Sequence, residues 1–495
     1  MMQRRASGLL LHPTSLPGPF GLGSLGSEAY RFVDFLRAAG QTVWQILPLS
    51  PTGYGDSPYS AYSAFAGNSL LISLERLVEA GDLAAADLAG IALPEGVADY
   101  AFAHACKGLL LPKAAAAFAA GGETRRRNDF ARFCSEQAFW LEDYTLFRAL
   151  HQHFAGTPWT RWPEALRRRE AAALDDWRRR LDGVMAVERY GQFIFFEQWF
   201  ALKTYANSQG VRFLGDMPIF VAFDSAEVWT RPELFHLDAA GEPTVVAGVP
   251  PDYFSATGQR WGNPLYRWER MAADNFSWWR ERLRWALVQT DLVRIDHFRG
   301  FAACWAIPAT EPTAENGVWW PVPGGDLFAA LTAALGPLPL VAEDLGVITP
   351  DVEALRASLG YPGMKVLQFA FGSGADNPHL PHNLQRDAVI YSGTHDNDTV
   401  HNWWRSQTPA LKAEVRSYLG SSGREIGWEL IRLASSSVAG LCIFPLQDLL
   451  DPAGTGRLNL PGVAAGNWRW RYRPDALSVE RAERLRRVTT IYGRC

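Results

Sequence analysis

The sequence is poor in what would tie it to an oxidising compartment, a membrane or a polyanion. It has five cysteines, Cys106, Cys134, Cys304, Cys442 and Cys495, an odd and scattered set without short-spaced pairs. That argues against a disulfide frame or a zinc site and for free thiols in a reducing compartment. Charge of one sign is missing too. The net charge is −4 over 495 residues, so no global field favours nucleic acid or an anionic membrane. The arginine clusters Arg125–Arg127, Arg167–Arg169 and Arg178–Arg180 stand among acids and apolar helix formers, and they read as solvated helix faces. No apolar run approaches the roughly 18 residues of a membrane span. At the N-terminus, Arg4-Arg5 precedes only Leu9–Leu11 before Pro13 closes the stretch, which is too short for the apolar core of a secretion signal. A cytoplasmic protein is expected. Internal repeats and disordered linkers are lacking as well.

What the chain does have is aromatic surface and strand-end acids. Aromatics reach 13%, with 20 Trp; some should fill a large core, and others can form platforms for the C–H faces of sugar rings. Eight short apolar segments end in polar or turn-forming clusters: Gly8–Leu11, Thr42–Leu47, Val211–Ile219, Asp291–Ile295, Leu338–Ala342, Lys365–Phe371, Ala388–Tyr391 and Leu441–Leu446. Helix-period segments such as Glu28–Ala39 and Phe276–Val288 lie between most of them. Alternation of this kind implies βαβ units and a parallel sheet, and eight units imply a closed (β/α)8 TIM barrel of the α/β class. The whole chain, 1–495, is expected to be one catalytic barrel without a separate C-terminal β-sandwich. The second and third strands are separated by far more chain than one crossover needs. Helical periodicity over Phe130–Phe147, Ala165–Leu181 and Gln192–Gln209 makes about 66–205 an inserted, mostly helical subdomain. A Gly/Pro/aromatic stretch at about 245–268 reads as a loop, and a long loop inside a compact domain is usually functional.

The strands of such a barrel open their C-terminal ends onto one face. Three of them run into acids there: Asp296 in LVRIDHFRG, Glu343 in LPLVAEDLG and Asp396 in AVIYSGTHDND. Side chains alternate along a strand, so Arg294 and Asp296 share the lumen face while Val293 and Ile295 face the helices. A guanidinium beside Asp296 favours its ionised form, which suits a glycosidic nucleophile; a purely structural Arg–Asp pair is the bland reading. Glu343 at a poorly hydrated strand end can hold a proton for a leaving oxygen. Asp344 should point the opposite way and be structural. Asp396, beside His395, suits hydrogen bonding to sugar hydroxyls. Metal ligation by the HDND cluster is the alternative, but no calcium-loop spacing accompanies it, and neither metal nor cofactor is expected. A fourth acid, Asp216, ends the third strand.

These segments resemble the conserved regions of the α-amylase clan. The finer wording GDMPIFV, VRIDHFRG, VAEDLG and GTHDND is similar to the 4-α-glucanotransferases, also called amylomaltases or disproportionating enzymes. The likeness spans nearly the whole chain and includes HPTSLPGPFGLGSLG, GYGDSPYSAYSAFAGN, VPPDYFSATGQRWGNPLY, NPHLPHN, LNLPG and NWRWR. The resemblance implies transfer of an α-1,4-glucan segment from a donor maltodextrin to the 4-hydroxyl of an acceptor glucan or glucose. Maltooligosaccharides and α-1,4-glucans would be the partners. It further implies Asp296 as nucleophile, Glu343 as general acid/base and Asp396 as the acid that holds and distorts the sugar. Tyr59, Asp216, Arg294 and His395 match contacts to that sugar. Tyr253, Phe254, Gln259, Trp261 and Asn263 match a loop over the site. Tyr54 matches an aromatic position of a secondary glucan groove, and Ser57 and Asn467 are candidate subsite contacts. Ala256, Phe223 and Leu458 depart from the residues common in the family, in regions that bear on acceptor preference and product size.

From the residues alone, the reading stops at a retaining enzyme acting on α-glucosides. Two carboxyls about 5–5.5 Å apart support double displacement, but the acids do not decide whether water or a sugar hydroxyl completes it. That choice lies with aromatic platforms and a covering loop that concentrate the acceptor and keep water away. Two alternatives stand beside transfer. A hydrolase or debranching-type enzyme on the same barrel is one, although debranching chains usually carry large extra domains. A sugar-binding protein with a decayed site is the other, and it should have lost at least one of the acids.

Overall fold

Each predicted strand is a short run whose alternate side chains are apolar, and the barrel grows out of that alternation. The computed structural model describes residues 4–91, 96–121, 123–251, 255–450, 456–463 and 465–495. Its strands are β1 (Ala6–Leu10), β2 (Val43–Gln45), β3 (Arg212–Pro218), β4 (Val245–Val249), β5 (Gln259–Pro264), β6 (Leu292–Asp296), β7 (Ala303–Pro308), β8 (Val318–Pro321), β9 (Leu340–Ala342), β10 (Gly363–Val366), β11 (Ala388–Tyr391) and β12 (Leu441–Pro445). Eight of them close a parallel barrel in the order β1-β2-β3-β6-β9-β10-β11-β12 and back to β1. Every barrel strand thus pairs with the next barrel strand along the chain, as the (β/α)8 expectation requires.

The lumen is a separate small core. Ala6, Leu10, Val43, Leu214, Leu292, Val341, Met364, Val366, Val389, Tyr391, Leu441 and Ile443 pack there. Their neighbours Leu9, Phe213, Met217, Val293, Ile295, Leu340, Ala342, Ile390, Cys442 and Phe444 join the large core beneath the helices. Gly8 in β1 is forced by close approach, because a Cβ there would sit 2.2 Å from the Val43 carbonyl oxygen. Inside the lumen, the Tyr391 hydroxyl donates to Gln45 Oε1 at 2.9 Å, which satisfies a phenol that burial would otherwise penalise.

Between β2 and β3 the chain builds the helical insertion, including Tyr100–Gly121, Thr124–Glu136, Ala138–His153, Ala171–Arg180 and Asp182–Ser208. The periodicity expected across Phe130–Phe147 is broken at Gln137, which lies between two helices with φ −99° and ψ 8°. The 27-residue helix Asp182–Ser208 is buried on all sides along its middle, from Tyr190 to Phe196. It runs from the insertion onto the barrel, where Trp199 meets Phe213 with ring centroids 4.7 Å apart.

Two arginine clusters depart from the solvated-face reading. Arg126 forks onto Asp82 (2.9 Å to each oxygen) and Glu197 (3.1 Å). Arg169 bonds Asp143 at 2.6 Å and lies over the Trp229 ring at 4.3 Å. One residue in each cluster turned inward because a buried acid or aromatic face awaited it. The stretch expected as a loop at 245–268 is also partly regular: β4 and β5 form a hairpin within an antiparallel sheet of order β5-β4-β7-β8. Its glycine hid the strand, since Gly248 lies where a Cβ would come within 2.2 Å of Gln259 O. Among the described residues no helix is long and apolar enough to cross a membrane.

Candidate active site

The lumen ladder of apolar residues turns ionic in its last layer. On β3, Leu214 is followed on the same face by Asp216; on β6, Leu292 is followed by Arg294 and Asp296; past β9, Val341 is followed by Glu343. Strand register then decides the neighbours. Asp216 lies opposite Arg294, and Ile295 opposite Ala342. The Glu343 amide donates to Ile295 O and the Phe298 amide to Glu343 O, both at 3.0 Å, which ties the segment carrying Asp296 to the one carrying Glu343.

One guanidinium organises the floor. Arg294 Nη1 lies 2.7 Å from both Asp216 oxygens and 3.0 Å from Asp296 Oδ1, so Arg294 serves two acids and approaches Asp216 more closely. Burial works against its charge, but Asp216 and Asp296 outweigh burial and hold its proton firmly. Burial likewise pushes the Asp216 carboxyl upward, with Arg294 opposing. The Tyr59 hydroxyl donates to Asp216 Oδ2 at 2.7 Å and lies 2.9 Å from His395 Nε2. A hydroxyl has one proton, so with that proton on Asp216 the Tyr59 oxygen accepts from His395 Nε2–H. The two rings stack at 5.3 Å. His395 Nε2 is also 3.4 Å from Asp396 Oδ1. An unbroken chain of contacts therefore runs from Asp396 through His395, Tyr59, Asp216 and Arg294 to Asp296.

Glu343 lies at the end of β9 beside them. Its Oε2 accepts the His297 amide at 2.7 Å and its Oε1 the Leu345 amide at 2.9 Å. His297 can make that bond because it takes a left-handed turn, φ 54° and ψ 53°, directly after Asp296. Burial pushes the Glu343 carboxyl up to about 7; the charge of Asp296 adds to this, while Arg294 and the two amides oppose it. Asp344 turns away, as alternation demands. It accepts the Met364 amide at 2.6 Å and meets Arg356 Nε at 3.2 Å.

The remaining sequence candidates fall into two groups. Trp261 on β5 stands edge-on to the His297 ring at 4.8 Å and donates through Nε1 to Gln259 Oε1 at 3.2 Å, so the β4–β5 hairpin reaches the residue after Asp296. Asn263 Nδ2 donates to Val221 O at 2.8 Å. Tyr253 and Phe254 lie outside the described residues. Ser57 and Asn467 are engaged within their own loops: Ser57 Oγ accepts the Tyr59 amide at 3.2 Å, and Asn467 bonds Leu460 N, Leu460 O and Val463 O. Tyr54 is 78% exposed on the turn that leads to Tyr59. One cleft runs along Pro48, Tyr59, Asp216, Phe220 and Val221, and a smaller one along Thr394, His395, Asp398, Arg457 and Leu458.

Sequence reasoning missed two residues that touch Asp396. Asn459 Nδ2 donates to Asp396 Oδ1 at 2.6 Å and Arg457 Nη2 to Asp396 O at 2.8 Å. The LNLPG segment was the available signal, but an amide carries no charge pattern that marks it. Among the described residues no group of three or more His, Cys, Asp or Glu side chains is placed to hold a metal ion.

Comparison with known proteins agrees with this geometry. A family model described as 4-alpha-glucanotransferase matches residues 11–478. The chain is 52% identical to the 4-alpha-glucanotransferase of Thermus thermophilus over 490 residues, 97% of either chain. It is 51% identical to that of a Synechocystis species, covering 100% of this chain and 99% of the relative. Among solved structures, amylomaltase from Streptococcus agalactiae in complex with acarbose superposes with a TM-score of 0.96 at 41% identity, covering 99% of this chain and 100% of that one. Barrel, strand-end acids and full-length similarity converge, and the chain belongs to the 4-alpha-glucanotransferase family.

Proposed function

We propose that this 4-alpha-glucanotransferase acts on α-1,4-linked maltooligosaccharides by retaining double displacement, with Asp296 as nucleophile and Glu343 as general acid/base. In the first half-reaction Glu343 gives its proton to the glycosidic oxygen while Asp296 attacks the anomeric carbon. The shortened glucan leaves with that proton, and the donor segment stays esterified to Asp296. In the second half-reaction Glu343, now ionised, takes the proton of an acceptor 4-hydroxyl, whose oxygen displaces Asp296 and restores both groups. The observation that carries this reading is an arrangement: Glu343 at a strand end with each oxygen held by a backbone amide, beside Asp296, whose Oδ1 meets the Arg294 guanidinium at 3.0 Å; burial pushes the Glu343 carboxyl up to about 7. The acid must hold a proton near neutral pH, and the burial of Glu343 supplies that.

Asp396 would grip the hydroxyls of the reacting sugar, with Tyr59, Asp216, Arg294 and His395 completing that subsite. Trp261, with Gln259 and Asn263 of the same strand and the sequence neighbours Tyr253 and Phe254, would form the acceptor side, where an aromatic face excludes water and concentrates a glucan hydroxyl. Ser57 and Asn467 would act by holding the loops that bear Tyr59 and the LNLPG turn, and Tyr54 as an outlying stacking platform. The acarbose held by the streptococcal amylomaltase supports an oligosaccharide site here. The free cysteines support a reducing, cytoplasmic setting.

Incubation with maltotriose tests the reading. Free glucose and a ladder of longer maltodextrins are expected. Accumulation of glucose and maltose without elongation would show hydrolysis instead, and an active Asp296→Ala variant would remove the nucleophile from its role.

A further inference from the structure

Asp396 differs from the other two acids in how it is held. Its side chain is 45% exposed, it follows its strand by several residues, and its own amide finds only Thr394 Oγ1 at 3.3 Å. A carboxylate on such a loop is free to rotate, yet gripping a sugar hydroxyl requires a fixed direction. The restraint comes from the chain that follows the neighbouring strand, β12, which pairs with β11. Residues 456–459 follow β12, the last barrel strand, and fold back over the loop of β11. Asn459 Nδ2 donates to Asp396 Oδ1 at 2.6 Å, and the Asn459 amide donates to His395 O at 3.2 Å. Arg457 spans the junction, giving Nη2 to Asp396 O and Nε to Asn459 O, both at 2.8 Å. The segment is anchored beneath by Leu458, which is buried, and by the Trp468 amide donating to Leu458 O at 2.7 Å.

We propose that Asn459 is a positioning residue for the transfer reaction: its amide occupies Asp396 Oδ1 and fixes the carboxylate plane so that Oδ2 faces the sugar, while Arg457 locks the two loops in register. The inference rests on the proposed role of Asp396 and extends it. Oδ1 already has two neighbours, the Asn459 amide and His395 Nε2. The carboxylate therefore presents one oxygen, not two, to a ligand. An amide suits this task because it donates without adding charge beside His395, Arg457 and Tyr59, the titratable and charged groups around Asp396.

A double-mutant cycle with a pH series tests it. Asn459→Ala should lower kcat for maltotriose disproportionation by about tenfold with KM within about twofold, the mark of an interaction that matters in the transition state. In an Asp396→Ala background the same substitution should cost less than about twofold, because coupled residues are not additive. Asn459→Asp gives a sharper signature. Two carboxyls at that separation share one proton; the shared proton can replace the amide N–H as donor, and it is lost as pH rises. The ratio of Asn459→Asp to wild-type kcat should therefore be highest near pH 5 and fall severalfold by pH 8, whereas the Asn459→Ala ratio stays flat. A full loss persisting in the Asp396→Ala background, or a flat Asn459→Asp ratio, overturns the proposal. If Asp396→Ala alone is not impaired, the role of Asp396 fails first and carries this inference with it. Thermal melts of each variant identify any that do not fold; should Asn459→Asp be one, the alanine cycle still decides.

Discussion

Replacing Glu343 by glutamine should stabilise the protein in alkaline solution relative to acid solution, even as it abolishes transfer. Burial raises the Glu343 carboxyl from 4.5 to about 7. A group whose folded pKa lies above its unfolded one contributes stability that is fully present below about 4.5 and is lost as pH rises through about 7. Raising that carboxyl from 4.5 to about 7 corresponds to about 3.4 kcal/mol of differential stability. Glu343 keeps some exposure at the barrel mouth, and solvent screening trims this to roughly 2–3 kcal/mol. Glutamine carries no such term. It does carry a fixed one: both Glu343 oxygens accept backbone amides, from His297 and Leu345, and a side-chain amide has only one acceptor oxygen. The orphaned contact costs about 1–3 kcal/mol at every pH. The informative quantity is therefore the change in the variant-minus-wild-type melting temperature between pH 4.5 and pH 8. At about 2.1 cal/mol/K per residue, 495 residues convert the linkage to about 2–3 °C in favour of glutamine at pH 8. Equal differences at the two pH values would refute a Glu343 that titrates near 7. The same group sets the sign for activity: as the proposed acid of the first step Glu343 must be protonated, so kcat/KM should fall as pH rises through about 7.

Arg294→Met should abolish activity and cost about 3–5 kcal/mol of stability, because it leaves Asp216 and Asp296 without their shared cation; a denaturant midpoint within error of wild type would contradict that dependence. Trp261→Ala should shift the outcome from transfer to hydrolysis, by at least severalfold in the ratio of elongated products to reducing ends from maltotriose, since it opens the space beside His297; an unchanged ladder would take Trp261 out of the acceptor side. Arg126→Ala should destabilise by about 3 kcal/mol in thermal or chemical melts, because the nearly buried Asp82 loses its cation and keeps only the Tyr190 hydroxyl at 2.8 Å, with kcat unaltered in the surviving folded fraction; a loss under about 1 kcal/mol would place that pair with ordinary surface ion pairs.

The parts of this enzyme legible in the sequence are those governed by short-range rules. Period-two alternation put Arg294 and Asp296 on one face and Val293 and Ile295 on the other, and the two faces do separate into lumen and outer core. The same rule turned Asp344 away from Glu343. What escaped depends on contacts between segments far apart in the chain. The β4–β5 hairpin reads as a loop because Gly248 and Pro264 punctuate it, although Gly248 is there so that two strands can approach. Arg126 and Arg169 read as surface charge until Asp82, Glu197 and Trp229 are placed beside them. Asn459 lies outside any strand end and carries no charge, so nothing local distinguishes it from a turn residue.

The two sides of the proposed reaction are built on different elements, a closed barrel and the edge of a small antiparallel sheet, and this bears on why a sugar and not water would complete the turnover. Asp216, Arg294, Asp296 and Glu343 sit at the ends of neighbouring strands, where register fixes them and backbone amides hold Glu343 from two directions. Nothing there distinguishes one nucleophile from another, because each would attack the same glycosyl-enzyme along the same path. The proposed acceptor side is a hairpin at the edge of an antiparallel sheet, with Gly258 and Gly262 at positive φ and Trp261 resting edge-on against His297. Such an element can pack against an incoming glucan ring and lose that packing when only water is present. Discrimination then follows from the acceptor completing the site: a glucan both supplies the hydroxyl and closes the aromatic wall that excludes its competitor, whereas water supplies a hydroxyl and leaves the wall open. On the proposed assignment the strand-end acids would set which bond is cleaved and with what stereochemistry, and the edge hairpin would set what receives the sugar.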